Sequence, residues 1–299
     1  MNRAAAIAAS TVLAGSAAWQ APVNGRLGQS TGALPASVIS FSVGVLILAV
    51  AALIAVGPSG ILQIPSELRS VGLRHLTGGL IGASYVVVSL LTVDSLGAGG
   101  LIAASVAGTL VGAVGIDWAG VLGVRKARPR PPRIAGVVLL VVGVVLVTGG
   151  GRFDPLATVA IFVVGLLVAF QPPVNARLAD QLGGLRAALT QSSIGLVALV
   201  LVTACSLPFA NGGTGGDLPW WAFSGGLLGA FYVVSTLASV PAIGAGGVAA
   251  ASIAGGLAFG AAADFFGMFG LETVDFTASR AVGFALIAGG AGLVLRRQS

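Results

Sequence analysis

A short polar stretch occurs twice in this chain, each time at the end of a strongly apolar run. Residues 19–27 read Trp-Gln-Ala-Pro-Val-Asn-Gly-Arg-Leu, and residues 170–178 read Phe-Gln-Pro-Pro-Val-Asn-Ala-Arg-Leu. Proline, amide and arginine side chains are costly in a membrane helix, so their repetition in the same order indicates a common role. The chain is therefore expected to contain two copies of one membrane unit.

The composition is typical of a polytopic membrane protein. Hydrophobic residues make up 56% of the 299 residues and charged residues only 8%, and the mean hydropathy is +1.03. A bilayer core of about 30 Å needs roughly 20 apolar residues per helix. Apolar runs between charged or Pro/Gly-rich breaks predict ten spans, at residues 4–24, 34–56, 71–91, 97–116, 134–148, 156–175, 185–207, 220–240, 244–263 and 281–295.

The two halves match well beyond the opening motif. Residues 78–87 correspond to 225–234, residues 97–100 to 244–247, Asp117 to Asp264, and Arg133 to Arg280. Each half is therefore predicted to be a five-helix unit, residues 1–150 and 151–299. Since five is odd, two copies joined directly cross the membrane in opposite senses. The predicted fold is an all-α membrane protein of ten transmembrane helices in two inverted repeats.

The distribution of basic residues predicts the orientation. With a cytoplasmic N-terminus, twelve of the 15 Lys and Arg residues fall inside, which is the expected positive-inside bias. The prediction is a multi-pass protein of the cytoplasmic (inner) membrane with both termini in the cytoplasm. The basic run at residues 125–133 is interpreted as a topological signal, although such a run can also bind anionic lipid.

The usual residues of enzymes and metalloproteins are missing from the sequence. Cys205 and His75 are each the only residue of their type, so neither a disulfide nor a clustered zinc site is expected. No nucleophile-elbow, zinc-protease or P-loop motif is present. We therefore predict no catalytic residue, no metal and no cofactor.

Two tyrosines are the first candidates for a solute site. Tyr85 and Tyr232 are the only tyrosines, at equivalent positions near the middle of the third and eighth spans, at the depth where inverted-repeat transporters bind substrates. The alternative is a buried phenol that is hydrogen-bonded to a neighbouring carbonyl.

Four amides in the repeated motif are further candidates. Gln20 and Asn24 in the first copy, and Gln171 and Asn175 in the second, are each four residues apart and so share a helix face. The adjacent prolines predict a kink that frees backbone carbonyls. These amides either line a cavity or simply tie helices together, as polar groups in membrane bundles often do.

Four charges suggest gates at the two mouths. Counting along the helices places Arg26 and Asp264 at the outer boundary and Arg177 and Asp117 at the inner one. We predict that Arg26 pairs with Asp264, and Arg177 with Asp117, as alternative gate ion pairs. Four separately solvated boundary charges are the alternative.

The motifs resemble those of a known family. The Gln-x-Pro-x-Asn-x-Arg-Leu pattern and the Asp-x-x-Gly-x-x-Gly pattern, at residues 117–123 and 264–270, resemble the YdcZ branch of the drug/metabolite transporter superfamily. The resemblance covers essentially the whole chain in a fused ten-helix form. It implies a central cavity lined mainly by the first, third and fourth helices of each half, and export by alternating access.

One departure from the superfamily narrows the chemistry. Its small multidrug exporters carry a membrane-embedded glutamate in the first helix, where this chain has Gln20 and Gln171, neither of which titrates. The leading hypothesis is a secondary transporter that exports a small, neutral or weakly polar solute. The alternative is a non-transporting scaffold or lipid-binding protein, and a channel is a third, less favoured possibility. Expected partners are a solute and membrane lipid, with no nucleic acid, and the protein is a monomer or a homodimer.

Overall fold

Helices make up all of the regular secondary structure that the computed structural model describes, which covers residues 1–69, 71–122, 126, 128, 130–149, 154–206 and 218–295. A helix satisfies its own backbone hydrogen bonds, as a lipid environment requires. The α-helices are α1 (Arg3–Ala9), α2 (Gln20–Thr31), α3 (Ala33–Leu62), α4 (Ile64–Leu68), α5 (Gly78–Ala119), α6 (Pro131–Gly149), α7 (Pro155–Val168), α8 (Gln171–Leu182), α9 (Gly184–Ser206), α10 (Gly225–Phe266) and α11 (Ala278–Leu295).

The number of membrane spans agrees with the sequence. Nine helical stretches among the described residues are long and apolar enough to cross a membrane. One of them, Leu73–Ala119, has 47 residues, or roughly 70 Å of helix at 1.5 Å per residue, enough for two crossings. The prediction of an all-α membrane protein with ten spans in two repeats is confirmed. Some residues of the predicted spans and of the charge count lie outside the described residues: Leu207, Arg125, Arg152 and both arginines at 296–297.

The two long helices break at equivalent glycines. α5 is non-helical at Gly97 (φ 70°, ψ 170°) and α10 at Gly244 (φ 71°, ψ 163°). This backbone region is essentially restricted to glycine. The third and fourth spans of each half are therefore joined by one glycine rather than by a loop, and a new helix N-terminus follows each break.

The repeated motif restarts a helix in both halves. Before α2 the chain passes through a π-helical turn (Ser10–Ala14) and a 3-10 turn (Gly15–Trp19). α8 begins at Gln171 with two prolines in its first positions, where a missing N–H costs no hydrogen bond. The predicted kink thus lies at the start of the motif. The first helical path also continues to Thr31, beyond the predicted end at residue 24.

Small residues allow close helix packing between the two halves. α6 lies against α11, where a methyl group added at Gly136 would come 2.8 Å from the Gly290 carbonyl oxygen. Likewise, a methyl group at Gly108 of α5 would overlap the Phe162 carbonyl of α7. The equivalent Gly255 of α10 is covered in the same way by Thr11. Such contacts are the usual basis of helix association in membranes.

Candidate functional site

The amides of the second motif copy face the long helix of the first half. Gln171 donates a hydrogen bond from Nε2 to the carbonyl oxygen of Gly78, at 2.7 Å. The Asn175 side chain packs on the same glycine, so that a methyl group there would overlap its Oδ1 atom. Gln171 therefore ties α8 to α5 across the two halves, which is the structural role that the sequence left open.

The amides of the first copy occupy the corresponding place on α10. The Gln20 amide lies at Gly229, and Asn24 lies against Gly225. Asn24 is 1% exposed, and neither of its amide atoms has a hydrogen-bond partner among the described residues. An unsatisfied buried amide costs about 1–3 kcal/mol, so Asn24 is the candidate with the largest unused hydrogen-bonding capacity.

A small cavity connects the first motif copy to a tyrosine. It encloses about 10 Å³, which is about the room that one water molecule needs. Gln20, Tyr85 and Ser89 are its polar lining residues, beside apolar side chains such as Val86 and Ile102. The structure thus brings together a candidate amide and a candidate phenol from different helices.

The two tyrosines lie near each other but in different surroundings. Tyr85 is half-buried, with Ser105 beside its hydroxyl, and it is close enough to Tyr232 for an electrostatic interaction. Tyr232 is 44% exposed. Equivalent residues of the two halves therefore lie in the same region of the fold, with one phenol half-buried and the other exposed.

Asp264 is bound at the glycine break of the other half. Its Oδ1 accepts a hydrogen bond from the Ala98 backbone N–H at 2.6 Å, and its Oδ2 accepts one from Gly99 at 3.1 Å. Arg280 forms a buried ion pair with the same carboxylate, and its guanidinium lies 5.8 Å from the centre of the Phe284 ring. We call the N–H groups of residues 98 and 99 the carboxylate cradle.

Asp117, the equivalent carboxylate, makes a more exposed pair. It lies 2.7 Å from Arg133, and the two side chains are 29% and 15% exposed, against 1% and 3% for Asp264 and Arg280. Both carboxylates therefore bind the arginine that follows sixteen residues later in the same half.

These contacts correct the predicted ion-pair partners in this conformation. Arg26, expected to bind Asp264, instead donates to Gln29 Oε1 at 3.2 Å, and Arg177, expected to bind Asp117, is exposed. The physical reason is that α11 and α6 pack beside the ends of α10 and α5 and bring Arg280 and Arg133 to the carboxylates. Sequence counting placed charges by depth alone, and the sixteen-residue spacing from Asp to Arg that the two halves share does not by itself show which helices pack side by side.

Aromatic rings cover the Asp264 end of the molecule. Trp19 donates a hydrogen bond to the Phe259 carbonyl at 2.9 Å and packs edge-on against its ring at 4.8 Å. Phe269 contacts both Trp19 and Trp221, at 5.6 and 5.5 Å between ring centres. The equivalent positions of the other half hold Phe170, Gly112, Leu122 and Arg74, so this cluster occurs at one end alone among the described residues.

A larger cavity opens at the Gly244 break. Its volume is about 540 Å³, and Arg3, Gly246, Gly247, Ala250, Gly292 and Leu295 contribute to its lining. In the first half the equivalent break is filled by the Asp264 carboxylate. The two ends therefore differ in that one is filled and the other is open.

Sequence analysis missed Gln191, a buried amide that joins α9 to α5. Its Oε1 accepts from the Gly79 backbone N–H at 2.7 Å, and its Nε2 donates to the His75 carbonyl at 2.6 Å. The residue is 6% exposed. Its counterpart, Ser40, has no amide, so the comparison of the two halves did not point to Gln191. The signal that could have found it is a glutamine within an apolar span.

Comparisons with known proteins identify the family. The family model described as "Putative inner membrane exporter, YdcZ" matches the chain in two segments, residues 6–146 and 156–293. No curated protein matches. One protein solved by crystallography is 18% identical, with a TM-score of 0.61 over 98% of each chain, which shows that the fold is shared. The chain is an inner membrane protein that belongs to the YdcZ family, a branch of the drug/metabolite transporters.

Proposed function

We propose that the protein is a secondary transporter that exports a small solute by alternating access through a cavity between its halves. The observation that carries this proposal is the small cavity that Tyr85 shares with Gln20, in the region of the fold where the equivalent Tyr232 is exposed. A site at the pseudo-symmetry axis of an inverted repeat is the usual position for a transported solute. The proposed binding residues are Gln20, Asn24, Tyr85, Gln171, Asn175 and Tyr232.

The chemistry of these residues favours an uncharged or weakly polar solute. Amides and phenols donate and accept hydrogen bonds without a formal charge, and the surrounding side chains, such as Val86 and Ile102, are apolar. The unpartnered amide of Asn24 supports a hydrogen-bonding role, because a solute amide, hydroxyl or carbonyl would satisfy it. A bound ion in this cavity would have no charged partner among the six proposed residues.

The orientation follows from the basic residues. With both termini in the cytoplasm, as the positive-inside bias favours, the buried Asp264–Arg280 pair and the aromatic cluster lie at the outer side. The cavity at Gly244 then faces the cytoplasm. This arrangement supports a conformation that is closed outside and accessible inside, as an exporter needs for loading.

The first experiment is a ligand screen with the purified protein, followed by transport in proteoliposomes. A ligand raises the unfolding free energy by about 2.7 kcal/mol at a hundredfold excess over its dissociation constant. Tyr85→Phe, Tyr232→Phe and Gln20→Ala should abolish the shift or raise the dissociation constant about tenfold, the effect of losing about 1.4 kcal/mol. Saturable flux of the same solute should be lost in parallel.

Ser84→Ala is the matched control for the tyrosine variants. Ser84 is exposed, neighbours Tyr85 in sequence and hydrogen-bonds to the Leu80 carbonyl of its own helix, so its loss should leave ligand binding unchanged. Binding without saturable flux would contradict transport and favour the scaffold or lipid-binding alternative. Flux that does not saturate would indicate a channel.

A further inference from the structure

The two halves contain the same glycine break, which holds a carboxylate in the first half and borders an open cavity in the second. Residues 97–100 and 244–247 share the order Gly-Ala-Gly-Gly, and the break at the first glycine has the same geometry in each half. At the first break the N–H groups hold the Asp264 carboxylate. At the second break there is a cavity of about 540 Å³.

Burial at equivalent positions follows the same division. Ala103 is 0% exposed, whereas its counterpart Ala250 is exposed and lines the cavity. Gly99 is buried and Gly246 is exposed. The difference therefore extends along the first turns of the helix after each break.

Gly246 has no steric reason to be glycine in this conformation. A methyl group at Gly99 would lie 2.8 Å from Asp264 Oδ2 and 3.1 Å from Arg280 Nη2, whereas a methyl group at Gly246 would meet no atom of the described residues within 4 Å. Glycine loses more conformational freedom on folding than alanine does, so local preference does not favour it at this position. A glycine kept in open space is explained if a carboxylate occupies that space in another conformation.

Asp117 is the residue that has the chemistry and position to do so. It ends the α5 segment that begins at the first break, just as Asp264 ends the α10 segment that begins at the second. It already carries its arginine, Arg133, as Asp264 carries Arg280. Each Asp–Arg pair can therefore move as an intact unit, without exposing an unpaired charge to the membrane interior.

We infer that Asp117 docks onto the backbone N–H groups of Ala245 and Gly246 when Asp264 leaves those of Ala98 and Gly99, so that the two carboxylates latch opposite ends in turn. This inference deepens the proposed alternating access and rests on it. A helix N-terminus favours a carboxylate through its free N–H groups and its dipole. Each docked carboxylate thus stabilises one conformation, and the backbone N–H groups that follow each glycine break form its cradle.

Thiol labelling tests the exchange without any solute. In a Cys205→Ser background, which removes the exposed native thiol, Ala250→Cys reports the open end and Ala103→Cys the closed end. The probe is a water-soluble maleimide on the full chain in nanodiscs, which leave both faces accessible. Ala250→Cys should label readily, and Ala103→Cys should be protected.

Asp264→Asn should reverse this pattern. Labelling of the Ala250→Cys reporter should fall, and that of Ala103→Cys should rise, each by about tenfold, the population shift expected when a charge-assisted hydrogen bond is lost from one state. Asp117→Asn is the opposite variant: it weakens the other docked state, so Ala250→Cys should keep its labelling rate while labelling of Ala103→Cys should fall further. Adding Gly246→Ala to Asp264→Asn should restore labelling at Ala250→Cys, because the added methyl group blocks the cradle that follows Gly244.

Gly99→Ala carries the same test if Asp264→Asn does not fold, since it obstructs the first cradle while leaving every charge in place. Unchanged rates in both Asp264→Asn and Gly99→Ala, or an equal change in Asp117→Asn, would overturn the exchange. Because no solute is involved, a labelling shift without measurable flux would support the latches and contradict the transport proposal alone. Measurable flux without a labelling shift would support the transport proposal and contradict the exchange of carboxylates.

Discussion

The two ends of the molecule carry equivalent ion pairs in very different environments. Asp264 and Arg280 are 1% and 3% exposed and bound to two backbone N–H groups, whereas Asp117 and Arg133 are 29% and 15% exposed. A buried ion pair is tolerated only when further hydrogen bonds offset its desolvation. The glycine break supplies those hydrogen bonds at one end, which shows that burial of the pair and docking on the break go together.

The glycines show the same contrast. Gly99 is enclosed by the carboxylate, the arginine and Phe284, while Gly246 has open space on the corresponding side. Substitutions at equivalent residues are therefore expected to change the free energy of unfolding by different amounts at the two ends. Paired substitutions, one at each end, measure that difference directly.

The largest expected difference is in the arginines. Arg280→Ala leaves a buried carboxylate without its counter-ion and should lower the free energy of unfolding by about 3–5 kcal/mol. Arg133→Ala removes the partly exposed pair and should cost about 0–1 kcal/mol. Thermal unfolding in detergent, followed by near-UV circular dichroism, compares the two. Equal losses would mean that the two pairs are buried alike in solution.

An intermediate difference is expected for the glycines. Gly99→Ala forces a methyl group against Asp264 and Arg280 and should cost about 1–3 kcal/mol, as overpacking does. Gly246→Ala meets no neighbouring atom in the part of the chain that the structure describes and should be neutral or stabilising by up to about 1 kcal/mol through helix propensity. The same unfolding assay measures both variants. A destabilising Gly246→Ala would show that the cavity is closed in solution.

The smallest difference is expected for the tryptophans. Trp19→Phe keeps an aromatic ring but loses the hydrogen bond to the Phe259 carbonyl, and should cost about 0.5–1.5 kcal/mol. Trp118→Phe changes a residue that is 60% exposed and should stay within about 0.5 kcal/mol of the parent. Trp fluorescence during unfolding reports both. A larger loss for Trp118→Phe would locate the important aromatic contact at the other end.

Much of the architecture could be predicted from the sequence because it depends on local properties. Hydropathy over about 20 residues identifies a span, and the repeated order of glycine, aspartate and arginine identifies equivalent positions in the two halves. The family resemblance depended on the same short motifs and was confirmed by a match that covers residues 6–146 and 156–293. The boundary between the predicted domains, 1–150 and 151–299, and the number of subunits stay predictions.

The ion-pair partners could not be predicted in the same way. Charge and depth gave Arg26 and Asp264 a common boundary, yet the Asp264 carboxylate binds Arg280 and the N–H groups at residues 98 and 99. The same holds for Gln191, whose partners at residues 75 and 79 lie more than 110 positions away. Such contacts depend on which helices pack side by side.

By itself, the sequence determined the class of protein, the number of spans, the duplication and the equivalent glycines of the two halves, since each follows from residue type and spacing along the chain. Only the tertiary structure decided which equivalent site is filled. The two halves share the same glycine break, so local preference gives both ends the same state. A difference arises only when the halves pack, because that packing brings one carboxylate to its cradle and leaves the cavity at Gly244 open.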